Sequence, residues 1–332
     1  MSIKGLDRIF RPRSIALIGA GERPGSIGRI LMSNLLAGDP DGAVFPVNPG
    51  RDRVMGVPAW ASVRDVDGPV DLAVIATPIR TVPGIVRECA EAGVGGALII
   101  SAGGKEAGEE GRRIESEIAE QCGATGLRII GPNCMGIICA KPRMNASFAA
   151  STPRPGKLAF ISQSGAICAA ILDISLEEGI GFHTFVSIGS MLDVDFGDLV
   201  DYLGNDPDVG SIVLYIESLT NIRKFMSAAR AVSRVKPIVV LKSGRSRAGA
   251  RAAGSHTGAM AGEDSVYDAA FKRAGIVRVD TIGELFDCAE LIAKQPLPSG
   301  SGLAVVTNGG GPGVMAADAL AARGLEPAVL EP

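Results

Sequence analysis

Histidine and aromatic residues are scarce in this chain. Its 332 residues include two histidines and one tryptophan, and Phe, Trp and Tyr together make up 4%. So few imidazoles argue against a histidine-built metal centre. The cysteines (Cys89, Cys122, Cys134, Cys139, Cys168 and Cys288) are scattered without a CxxC pair, which argues against a thiolate cage. They read instead as free thiols in a reducing, cytoplasmic setting. The opening residues carry Lys4, Asp7, Arg8, Arg11 and Arg13, which is not the pattern of a signal peptide, and no apolar run is long enough to span a bilayer. A net charge of −3 supplies no general positive field for nucleic acid. Neither a membrane nor a nucleic acid is therefore expected as a partner.

One stretch lacks charge of a single sign. Between Ser218 and Ala261 there is no Asp or Glu, while nine Lys or Arg residues fall in that span. Its second half, residues 242–262, reads KSGRSRAGARAAGSHTGAMAG, with Lys242, Arg245, Arg247 and Arg251 as cations and His256 near its end. Its glycines make it a poor core helix, since each costs about 1 kcal/mol there relative to Ala. A glycine-rich, cationic backbone suits close approach to phosphate. A histidine in it is a candidate to carry a phosphoryl group. The alternative, a basic surface loop with an incidental histidine, stays open on composition alone.

With 46% hydrophobic residues and 44 glycines, the rest of the chain suits strands and helices joined by tight turns. Residues 14–20 (SIALIGA) read as a buried strand, running through a glycine turn into a helix from about Ile27 to Leu36. Gly19 and Gly21 match the start of a dinucleotide fingerprint, but Pro24 replaces its third glycine. The second strand, 43–47, ends in Asn48-Pro49 instead of the acid that holds a nicotinamide-cofactor ribose. This favours a different phosphorylated, adenine-bearing ligand. Further strands are expected at 71–77, 95–102 and 127–130, with helices at 80–92 and 108–122 between them. The result is a parallel, doubly wound sheet whose ligands lie at the carboxyl ends of its strands. Those ends are Gly19, Val47-Asn48-Pro49, Thr77-Pro78 and Ser101-Ala102-Gly103, although ordinary tight turns use the same residue types.

Residues 131–156 read as an irregular connection. A second alternating unit follows, with strands at 158–162, 182–188, 211–216, 237–241 and 276–279. Ser162-Gln163-Ser164-Gly165 leads into a helix over 166–178, either as a simple cap or as an anion site. Asp193, Asp195 and Asp198 cluster at the next helix start, where carboxylates favour the macrodipole. His183, inside a strand, reads as structural. Glu217 closes the 211–216 strand and, in a parallel sheet, opens on the same side as the stretch around His256. A carboxylate there can hold one imidazole nitrogen and leave the other nucleophilic, or it can pair with an arginine of the loop. Helices are expected at 264–274 and 282–294, then a linker at 295–301. A strand at 303–307, a helix at 314–323 and a strand at 327–330 begin a third unit. The expected division is 1–135, a linker at 136–156, 157–294 and a partial unit at 302–332.

These motifs resemble the nucleoside-diphosphate-forming acyl-CoA synthetases, whose CoA-binding half includes the alpha subunit of succinyl-CoA synthetase. The carrying residues are SIALIGAGERPGSIG, FPVNPG, GPNCMG, FISQSGA, KSGRSRAGARAAGSHTGAMAG and VVTNGGGPGV, in the family's order, and the ADP-forming acetate-type branch is the more similar. The resemblance implies a Rossmann-like CoA-binding domain, a flavodoxin-like succinyl-CoA-ligase domain and the start of a third α/β unit. CoA then falls at Gly19, Ser26, Ile27, Gly28, Val47, Asn48, Pro49, Thr77, Pro78 and Ser101. Phosphate falls at Ser162, Gln163, Ser164, Gly165, Gly254, Ser255, Thr257 and Gly258. His256 takes the phosphohistidine position and Glu217 that of its orienting carboxylate. It implies an ATP-grasp partner subunit or domain that brings ADP or ATP and Mg²⁺, a small carboxylic acid or its acyl-CoA as substrate, and an oligomeric assembly. Ser190 departs from the family's Gly-Asn after Gly189. A rival reading is the regulatory CoA-binding region of a protein lysine acetyltransferase-type relative, which turns nothing over; retention of His256 favours the ligase.

Because the second strand lacks a ribose-binding acid, calorimetry at equal ligand concentration should give binding of CoA and none of NAD. Preference for NAD would overturn the assignment of the first glycine turn.

Overall fold

The computed structural model describes residues 3–38, 42–246, 248–249, 251, 263–295 and 300–329. His256, with Gly254, Ser255, Thr257 and Gly258, lies outside these residues. The chain divides into two compact units, Met1–Ala293 and Lys294–Pro332.

The larger unit starts with a single-turn helix α1 (Asp7–Phe10), then β1 (Ser14–Ile18), α2 (Ile27–Gly38) and β2 (Ala43–Val47). A two-residue-armed hairpin, β3 (Arg53–Val54) and β4 (Val57–Pro58), precedes β5 (Leu72–Ile75), α3 (Val82–Glu91), β6 (Gly96–Ile99), α4 (Glu109–Thr125) and β7 (Arg128–Ile130). All pairings in the β2-β1-β5-β6-β7 sheet are parallel. Every residue of β1, β5 and β6 is buried, as expected of strands covered on both faces. The chain winds first to one side of β1 and then crosses to the other. Its switch point therefore lies between β1 and β5, where Gly19 and Thr77 stand just beyond the strand ends.

The stretch from Gly131 to Gly156, expected to be irregular, instead holds two more strands. β8 (Gly136–Cys139) and β9 (Met144–Ser147) form an antiparallel hairpin, and β8 pairs antiparallel with the later strand over Gly181–Ser187. These residues are wholly buried, which the surrounding prolines concealed at the level of pattern. Next come β10 (Arg154–Ser162), α5 (Gly165–Glu177), β11 (Gly181–Ser187), α6 (Phe196–Gly204), β12 (Ser211–Ile216), α7 (Ile222–Val232) and β13 (Ile238–Lys242). The unit ends with α8 (Asp264–Ala274), β14 (Val277–Val279) and α9 (Ile282–Lys294), which reaches the boundary between units. The second sheet runs β14-β13-β12-β10-β11-β8-β9. Its parallel part repeats the winding of the first, with the switch point between β10 and β12. The helices form for local reasons. Phe225, Ala228, Ala229 and Val232 give α7 one buried face, and Asp195 and Asp198 close a capping box on α6.

One hydrophobic cluster runs through both sheets, from Leu6, Leu31 and Ile137 to Ile161, Phe225 and Phe271. Charged contacts reinforce the join: Arg128 Nε lies 2.9 Å from Asp193 Oδ2, and Arg11 Nη2 lies 2.8 Å from Asp206 Oδ2. Asp193 therefore serves the join and not the helix dipole. His183 is buried beside Thr184 Oγ1 at 2.8 Å, and burial lowers its pKa, in keeping with a structural role.

In the smaller unit, α10 (Gly310–Ala321) starts four residues earlier than expected. The strands expected at 303–307 and 327–330 reduce, among the described residues, to one parallel bridge between Leu303 and Pro327. With Leu320 as its buried apolar side chain, this unit has little core to order them.

Lys242 also departs from expectation. It is no loop cation: it is 2% exposed, and Nζ donates to the Glu217 carbonyl at 2.9 Å and to the Ser243 carbonyl. It also sits 4.5 Å from the Tyr267 ring centroid, and desolvation lowers its pKa. Lys242→Ala should leave two carbonyls unsatisfied and cost about 2–3 kcal/mol, read as a fall of several degrees in the thermal midpoint. An unchanged midpoint would show that these carbonyls find other partners.

Candidate functional site

At the first switch point, Gly19 turns the chain with φ +94°, and its N–H donates to the Val47 carbonyl at 3.1 Å. The start of α2 presses against this turn. A Cβ on Gly28 would lie 2.1 Å from the Gly19 carbonyl oxygen, so only glycine fits there. Asn48 braces the same turn from β2, its Nδ2 donating to the Ala20 carbonyl at 2.7 Å while Oδ1 accepts from Gly50 N at 2.9 Å. Ser26 Oγ donates to the Arg23 carbonyl at 2.7 Å. Val47 is buried, Pro49 and Pro78 are exposed at the rim, and Ile27 is 45% exposed although apolar. Ser101 Oγ donates to the Thr77 carbonyl at 2.6 Å, tying the ends of β5 and β6.

At the second switch point, Ser164 caps α5 by accepting from Ile167 N at 3.3 Å. Ser162 lies behind the surface, fully buried, its Oγ donating to the Ser164 carbonyl and accepting from Ser164 N, each at 3.0 Å. Gln163 reaches sideways. Its Oε1 accepts from Glu217 N at 2.6 Å and from Ser218 N at 2.9 Å, so one side chain fixes the backbone that carries Glu217. Glu217 is 7% exposed. Next to it, Ser243 N donates to the Ile216 carbonyl at 3.0 Å, so the chain that goes on to His256 leaves β13 beside Glu217.

The two switch points open on common ground. A cavity of about 440 Å³ has walls from Ile27, Thr77 and Ser101 on one side and from Gln163, Ser164 and Gly165 on the other. A smaller space of about 30 Å³ includes Glu217 and Ser218 and shares Asn133 and Gln163 with the larger one. Thus residues assigned separately to CoA and to phosphate meet in one crevice, while Ser162, Val47 and Asn48 support it from behind. Pattern reading missed Asn133, Met135, Phe148 and Lys105, which also line these spaces. Asn133 follows Gly131-Pro132 and takes φ +56°, a conformation asparagine tolerates. A broader groove of about 940 Å³, lined by Arg223, Arg230, Arg234, Lys272 and Arg273, holds none of the expected site residues. Among the described residues, the one group spaced for a metal is His183, Asp206 and Asp208. Arg11 and Lys141 already pair with its carboxylates, so it does not fit a bound cation.

Twice-wound sheets whose parallel strands open their carboxyl ends on one polar crevice define a ligand-binding α/β protein. Comparisons with known proteins agree. A model described as a CoA binding domain matches residues 13–140, and one described as a succinyl-CoA ligase like flavodoxin domain matches residues 155–292. The chain is 45% identical over 326 residues to the alpha subunit of ADP-forming acetate–CoA ligase II from Pyrococcus furiosus, covering 98% of this chain and 71% of that one. It is also 45% identical over 313 residues to an ADP-forming acetate–CoA ligase of Methanocaldococcus jannaschii, covering 94% of this chain and 44% of that protein. The structure of dinucleotide forming acetyl-coenzyme A synthetase 1 from Ca. Korarchaeum cryptofilum, in complex with phosphate and ADP, matches with a TM-score of 0.93 at 40% identity, covering 97% of this chain and 70% of that one. The chain belongs to the NDP-forming acyl-CoA synthetases, in the ADP-forming branch. That places it among acid–CoA ligases and disfavours the acetyltransferase-type regulatory reading.

Gly28→Ala should drive a methyl into the Gly19 carbonyl, cost about 1–3 kcal/mol and weaken CoA by about tenfold or more. Calorimetry with unchanged CoA affinity would show that the ligand does not use this turn.

Proposed function

We propose that this chain binds CoA and carries the phosphoryl group in an acid–CoA ligase, with His256 as the carrier. Inorganic phosphate attacks the thioester carbonyl of an acyl-CoA, the C–S bond breaks, and CoA leaves as the thiolate. A nitrogen of His256 then takes the phosphoryl group from the acyl phosphate and releases the carboxylate. Transfer to ADP forms ATP and frees the imidazole, and the reverse sequence activates an acid. The observation that carries this reading is the single crevice walled by Thr77 and Ser101 and by Gln163, Ser164 and Gly165, with Glu217 in the adjoining space. It supports CoA and phosphate meeting within reach of Glu217, the group that orients His256.

In this reading, ADP and Mg²⁺ are held by an ATP-grasp subunit or domain, which motivates an oligomeric assembly. The substrate is a small carboxylic acid. Relatives act on acetate or, in Nitrosopumilus maritimus, on 4-hydroxybutyrate. A reducing, cytoplasmic location fits the cysteines, all free, of which Cys89 and Cys168 are buried with thiol pKa values pushed up to about 12 by desolvation. No helix among the described residues is long and apolar enough to cross a membrane.

Incubation with acetyl-CoA and labelled phosphate should leave protein-bound label that acid removes and base does not. His256→Asn should abolish it. Glu217→Gln should slow its formation by about 10²–10⁴-fold if its task is orientation. Acid-stable label, or label that survives His256→Asn, would place the phosphoryl group elsewhere.

A further inference from the structure

The turn after β6 delivers a cation that the assignments above leave unused. Lys105 belongs to the first sheet's side, yet its Nζ donates to the Ser190 carbonyl, in the turn after β11, at 2.9 Å. There it shares the walls of the smaller cavity with Glu217, Gln163, Ser218 and Glu106. The turn is built to hold it. Lys105 N donates to Oε1 of buried Glu115 at 3.1 Å, and Gly103 and Gly104 donate to Glu106 Oε1 at 2.8 and 3.2 Å. Gly104 leaves no slack, because a Cβ there would lie 2.2 Å from Glu115 Oε1. Two carboxylates thus fix the backbone, and the ammonium points across the join at a neutral carbonyl.

A staple between the sheets does not need this arrangement, since Arg128–Asp193 and Arg11–Asp206 already make the stronger charged pairs. An ammonium has three donors, and the Ser190 carbonyl engages one. Lys105 is also the sole cation among the cavity's described walls, which include Glu106 and Glu217. Without it that space would present only carboxylate charge to an incoming dianion. We propose that Lys105 binds inorganic phosphate, and then the phosphoryl group in transit, in front of Glu217. Its part is electrostatic. It holds phosphate oxygens and forms no covalent bond. This assignment deepens the ligase reading and rests on it.

The test uses the full-length protein with its ATP-grasp partner and follows ATP formation against phosphate concentration. Lys105→Gln should raise KM for phosphate by about tenfold or more, leave KM for acyl-CoA unchanged and hold the thermal midpoint. Lys105→Arg should recover most of the loss. Unchanged KM for phosphate in Lys105→Gln, or equal loss of phosphate and CoA affinity with a lowered midpoint, would overturn the proposal and leave a structural tie. Should the wild type form no ATP and no histidine label, the ligase reading fails separately. Calorimetry with inorganic phosphate alone then decides Lys105: binding lost in Lys105→Gln upholds it, and equal binding overturns it.

Discussion

The crevice depends on a short run of backbone hydrogen bonds between the ends of two sheets. Val194 N donates to the Ile129 carbonyl at 3.1 Å, Leu192 N to Gly131 at 3.2 Å and Ser190 N to Pro132 at 2.9 Å. Asn133 N, in turn, donates to the Ser101 carbonyl at 2.9 Å. Peptide groups inside a join must find partners or cost free energy, and here each loop supplies the other's. The close fit allows no variation at Gly189, where a Cβ would lie 2.2 Å from the Pro132 carbonyl. Two units joined by a linker alone would move freely relative to one another. This ladder instead holds the end of β6 at a set distance from Gln163 and Glu217.

The two sheets solve one problem in the same way. Among its parallel strands each brings the first between the second and third, and each opens its ligand side where the winding reverses. What differs is the chemistry at the opening. The first is shaped by Gly19 and Gly28 for close approach of backbone. The second is organised by Gln163, whose amide oxygen holds two neighbouring N–H groups at once. In the proposed reaction the thioester end of CoA meets a phosphate, and one crevice walled from both sheets suits that meeting without a long cleft.

Much of this was legible in the residues. Parallel strands such as SIALI, LAVI and SIVLYI are unbroken apolar runs, and Asp195 and Asp198 announce their helix start. Glu217 stood out because it follows SIVLYI directly. Other features were hidden for physical reasons. β8 and β9 are four residues each, set among prolines, and are strands only because β11 offers an edge. Lys242 looked like part of a cationic loop, since sequence cannot show that two carbonyls and a ring enclose it. Lys105 carries no signal within GGKEAG, because its meaning comes from Ser190, 85 positions away in the chain.

The hairpin of β8 and β9 gives the border between the halves an unusual character. Matches to the two family descriptions stop at residue 140 and resume at residue 155, which suggests a clean seam. In space there is none, for β8 lies within the stretch matched to the first description yet completes the second sheet at β11. A piece cut to begin at residue 155 would uncover the flank of β11, whose free N–H and C=O groups invite pairing with other chains. Two halves joined in this way cannot be exchanged at the seam between the two matches without breaking the second sheet.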